Sequence, residues 1–126
     1  MAGGASSRAG AALPLEALGL HEATLVAVDA GGLPARLGLW LEGVLVCGRL
    51  EAVELVFRDV GGLRRDGRLL DALVMERPDA EVLSLSPTPE GPWSLVLRWR
   101  DFTQGGAHTA AYEVTARCVE AFASQG

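Results

Sequence analysis

Apolar and polar residues alternate with a period of two in five stretches of this chain, and glycine or proline separates the stretches. The clearest is 93–100, where Trp93, Leu95, Leu97 and Trp99 interleave with Ser94, Val96, Arg98 and Arg100. That cadence predicts antiparallel strands with one face buried and the other wet. The same reading gives strands over 22–29, over 35–42 with Leu37, Leu39 and Leu41 inward, and over 50–58 with Val53, Leu55 and Phe57 inward. In the last of these, Glu54 and Arg58 point out to water. A final long strand places Tyr112, Val114, Ala116 and Cys118 on its buried side and Glu113, Thr115 and Arg117 on its wet side. Residues 44–47 read as a short strand or as a bulged extension of the one before. Residues 60–67 read as the longest turn. Residues 69–76 read as a strand, although their spacing also suits a helix, and 82–85 as a short strand ended by Pro87 and Pro89.

These elements predict an all-β, mainly antiparallel protein of seven to eight strands. The architecture expected is a sandwich or a strongly curved, partly closed sheet, with a short N-terminal helical segment near 13–20. Residues 1–12, rich in Gly, Ala and Ser, read as a disordered N-terminal tail, and 13–126 as a single β-rich domain. A chain of 126 residues can bury a core without metal or disulfide staples.

Composition sharpens this picture mainly by exclusion. Hydrophobic residues make up 49% of the chain and charged residues 21%, a globular balance. Lys, Asn and Ile are absent and all 11 cations are Arg, which is the codon signature of a GC-rich, bacterial gene. The net charge of −5 argues against nucleic acid, whose affinity comes largely from cations on phosphate. No stretch has the length of a membrane span or the form of a secretory leader. The expected setting is therefore cytoplasmic, with Cys47 and Cys118 reduced and serving as small buried apolar residues.

Chemistry-bearing patterns are sparse. His21 and His108 lack metal-ligand spacing and no Cys-x-x-Cys pair is present, so no metal site is expected. His21 is read as hydrogen-bonding the entry to the first strand, and His108 as part of a solvated loop. No nucleophile elbow or phosphate loop occurs, so no catalytic residue and no cofactor is assigned and the protein is read as non-enzymatic. Trp40 breaks the pattern, because parity places it opposite Leu37, Leu39 and Leu41. It either marks a binding surface, or covers a glycine on the neighbouring strand or packs under the N-terminal segment. Together with Arg58, Arg98, Arg100, Glu113 and Arg117 it forms the candidate partner-binding set. The alternative is a small-ligand cavity inside the curved sheet, lined by Phe57, Trp93, Trp99 and Tyr112. A structural homodimer through an exposed sheet edge is a further alternative.

One resemblance adds to this. His21-Glu22-Ala23-Thr24-Leu25, then a glycine turn and a hydrophobic strand, then Leu55-Val56-Phe57 followed by Val60-Gly61, resembles small bacterial β-rich domains. Some of these look like immunity proteins of polymorphic toxin systems. That resemblance implies a protein that neutralises a toxin partner by docking on it, and an acidic surface would suit a basic partner.

Overall fold

The computed structural model describes residues 12–101 and 106–123. Within them lies one antiparallel sheet of nine strands: β1 (Ala12–Leu13), β2 (Leu18–Gly19), β3 (Thr24–Asp29), β4 (Arg36–Val46), β5 (Arg49–Arg65), β6 (Arg68–Leu69), β7 (Ala80–Pro87), β8 (Trp93–Asp101) and β9 (Gly106–Ala123). Six of them close into a barrel in the order β3-β4-β5-β9-β8-β7, with β7 returning to β3. The ring consists of two three-stranded meanders, β3-β4-β5 and β7-β8-β9, joined at two seams. One seam is long and pairs β5 with β9 from Val53↔Ala123 to Arg65↔Tyr112. The other is short: β3 meets β7 at Thr24↔Glu81 and Leu25↔Ala80, extended by Val82 N–H donating to Ala23 C=O and Glu22 N–H donating to Val82 C=O, each at 2.8 Å.

The class expectation of an all-β antiparallel protein holds, with four corrections. The strand number is nine, because two-residue strands at the ends of the barrel carry no alternation to read. The N-terminal helical segment is not seen: three residues, Leu15–Ala17, make a single 3-10 turn between β1 and β2. Pro14 before this turn and Gly19 after it leave no room for a longer helix. Nor do 69–76 form a strand beyond Leu69, since 70–79 runs as an irregular crossover from β6 to β7. The expected turn at 60–67 is largely strand, because β5 continues through it to Arg65. Asp59 takes φ 52° and the register against β9 shifts between Val60 and Gly62. The glycines there serve a bulge, while the reversal itself falls at Asp66-Gly67, both at positive φ as a tight hairpin turn demands.

The interior is filled by side chains. Phe57, Trp99 and Tyr112 are fully buried among Leu25, Leu39, Leu55 and Leu97, as expected of a small barrel. On β9 the inward set is Ala110, Tyr112, Val114 and Ala116, and opposite Asp59 the parity shifts to Val119 and Ala121. The shift turns Cys118 outward, and both Cys47 and Cys118 are exposed rather than buried. Glu54 corrects the pattern in the opposite sense. It stands on the outer face yet is only 2% exposed, because Arg36 folds over Gly38 to pair with it. A Cβ on Gly38 would lie 3.1 Å from the Arg36 guanidinium and 3.2 Å from the Glu54 carboxylate. Gly38 is therefore covered by this ion pair.

Candidate functional site

The barrel has two ends of different character. Crossover 70–79 spans one end. Leu73 inserts there into the core, and Glu76 fastens the segment to the wall. The Glu76 carboxylate accepts from Arg65 Nε at 2.7 Å and Nη2 at 3.0 Å, and from the Tyr112 hydroxyl at 2.8 Å. His108 Nε2 lies 2.9 Å from its other oxygen. Trp99 Nε1 donates in turn to the Tyr112 hydroxyl at 3.1 Å. Burial alone would raise the Glu76 carboxyl. The donors from Arg65, His108 and Tyr112, with the guanidinium charge, outweigh it and hold the group at about 2. The Arg65 guanidinium is held further up by hydrogen bonding to Glu76, and Tyr112 is pushed up by burial and by Glu76. Every strong acceptor in this cluster is matched to a donor, so the arrangement is a latch. His108 belongs to it on β9 and does not sit in a solvated loop.

The opposite end is closed by segment 12–23, which packs Leu15, Leu18 and Leu20 against the core. Here the short seam fails. The Glu22 N–H still donates to Val82 C=O at 2.8 Å, but its φ of 70° turns the chain before it away from β7. The His21 side chain then takes over the next ladder position, with Nδ1 2.8 Å from Leu83 C=O. A carbonyl only accepts, so Nδ1 carries the proton. Beyond that point a groove of about 610 Å³ opens between the N-terminal segment and β7. One wall is Leu15, Leu18 and Leu20, Trp93 contributes an aromatic surface, and the other wall is the five consecutive residues 83–87. A groove on one face of a strand would meet every second residue; meeting five in a row means it runs along the strand's edge.

That edge is open. Thr88 N–H donates to Pro92 C=O, so the narrow hydrogen-bonded pairs toward β8 fall at Thr88, Ser86 and Ser84. The alternation then directs the Leu85 N–H and C=O and the Pro87 C=O into the groove. Pro87, which has no N–H to leave unpaired, suits an edge position. On the side away from β8, no strand pairs with β7 over 83–87 among the described residues. Glu16 lines the groove, Glu22 follows the lining residue His21, and Glu90 lies in the turn between β7 and β8. No Arg pairs with any of the three among the described residues, and only His21 lies near Glu22, at 3.5 Å.

The residues singled out from the sequence fall elsewhere. Trp40 is half-buried on the outer face of β4, opposite Glu54 and Ala27. Arg58 is one strand away and pairs with Glu120. Arg98 and Arg100 lie on β8, 3.9 Å from Glu81 and 3.8 Å from Asp79. Glu113 faces Ser94 and Arg64 across its neighbours, and Arg117 lies 3.9 Å from Asp59. Two strands separate β4 from β8 whichever way the ring is followed, so Trp40 and the β8 arginines occupy opposite walls and form no single patch. Of the cavity set, Phe57, Trp99 and Tyr112 pack inside the barrel, while Trp93 stacks edge-to-face on Phe57 at 5.9 Å and reaches the groove. The groove itself escaped the sequence reading. Its signal was the proline that closes the Leu83-Ser84-Leu85-Ser86 alternation, which marks an edge strand as well as a strand end.

Among the described residues no three His, Cys, Asp or Glu side chains are grouped so as to hold a metal ion, and no helix is long and apolar enough to cross a membrane. No protein-family model matches the chain, and comparison with curated proteins and with solved structures returns no match.

Proposed function

We propose that this chain is a protein-binding module that docks its partner at the groove beside β7. The observation that carries this reading is the coincidence of an apolar cleft with an unpaired strand edge. Polypeptide is the ligand class that satisfies both, supplying side chains to the cleft and backbone to the edge. The immunity-like reading is one form of the same activity, in which docking neutralises the partner, and the unpaired carboxylates at the rim support a basic one. The small-ligand reading draws less support, because three of its four residues are consumed by core packing.

Ser86→Arg tests the proposal. Ser86 is exposed and lines the groove, so a long side chain there obstructs the cleft without disturbing the core. A crosslinked partner is expected to be lost from Ser86→Arg at unchanged melting temperature and retained by Trp40→Ala. Retention by Ser86→Arg with loss from Trp40→Ala would move the binding surface to β4 and end this reading.

A further inference from the structure

Resting on that docking site, we infer that the occupant is an extended segment of another protein that joins the barrel as a strand on β7, carrying basic residues on either side of the paired stretch. Three observations select it. The Leu85 N–H and C=O point into the groove as a donor and acceptor pair, which is what one residue of an incoming antiparallel strand engages. The cleft walls are apolar and follow the strand, so alternate side chains of the incoming segment enter between Leu18, Leu20 and Trp93 while their neighbours face water. Glu16 lines the groove, Glu22 follows the lining residue His21, and Glu90 sits in the turn between the lining residues Pro87 and Trp93; none has a cationic partner among the described Arg residues, so the flanking side chains that fit are Arg or Lys.

The same observations disfavour the other occupants. In a symmetric pairing of two copies, Glu16, Glu22 and Glu90 of one would face the same three carboxylates of the other. The residues of this chain that precede Ala12 include only one large apolar side chain, Met1, so they offer no alternating apolar set to fill the cleft. His21 marks where the incoming strand stops, because its ring already holds the Leu83 carbonyl.

A random-peptide display library selected on the full chain tests this. Enriched peptides are expected to carry alternate apolar residues between Arg or Lys, and to protect the Leu85 amide from hydrogen exchange. N-methylating the peptide residue opposite Leu85 should abolish binding. Glu16→Gln and Glu90→Gln should each weaken binding about two- to fivefold, with the effect shrinking as salt rises. Peptides blocked by Ser86→Arg that leave the Leu85 amide unprotected would overturn strand addition while sparing the groove as a docking site. Peptides indifferent to Ser86→Arg, or no enrichment at all, would overturn both. A concentration-dependent dimer that Ser86→Arg dissolves would assign the edge to a second copy instead.

Discussion

At one end of the barrel a crossover segment is held by a half-buried carboxylate with donors from three residues; at the other an N-terminal segment rests on leucines and, among the described residues, leaves a strand edge uncovered. The first end uses directional bonds that are all satisfied, which fixes a single arrangement and leaves nothing for a ligand. The second uses contacts without direction, and its seam of two paired residues stops where Glu22 turns away. The contrast teaches where each kind of function can sit. Fully matched polar groups read as structure even when their protonation is strongly perturbed. An unmatched backbone edge beside apolar walls reads as a place for a partner.

The largest effect should come from breaking the latch. Glu76→Gln is expected to cost about 2–3 kcal/mol at neutral pH, measured by denaturant unfolding. The sign follows from the downward displacement: with the folded carboxyl at about 2 and its ordinary value at 4.5, the stabilisation is complete above 4.5 and is lost as pH falls toward 2. The variant should therefore lack that part of the acid limb. At the opposite end, Leu20→Ala should cost about 2 kcal/mol through lost burial, with no change in the acid limb. Tyr112→Phe comes next, at about 1–2 kcal/mol, because it strands the buried Trp99 N–H and removes one donor from Glu76. The smallest effect is a gain. Cys47 and Gly48 both take positive φ in the β4–β5 turn, so Cys47→Asn should raise stability by about 0.5 kcal/mol, read as a higher melting temperature.

Much of the barrel wall was legible because its strands have one dry face and one wet face. Leu37, Leu39 and Leu41, and Leu95, Leu97 and Trp99, sit where alternation places them. Errors gathered where the backbone changes parity: opposite Asp59, between Ala116 and Val119, the inward set on β9 moves from even to odd positions, exposing Cys118. Glu54 shows a second limit, since an outward residue becomes buried when a neighbour's side chain folds over a glycine. The Glu76 latch joins residues from β5, β9 and the crossover, and no local pattern reports such a meeting. The groove was hidden for a similar reason, being a gap between two segments far apart in the chain. Only Pro87 pointed to it locally.

The most direct measurement is amide hydrogen exchange of the free protein at single-residue resolution. Leu85 should exchange at close to the free-peptide rate. The Val82 amide, bonded to Ala23, and the Ala111 amide, bonded to Asp66, should be strongly protected. A Leu85 amide as slow as that of Val82 would mean the edge is already covered, and the account of an open docking strand would be contradicted.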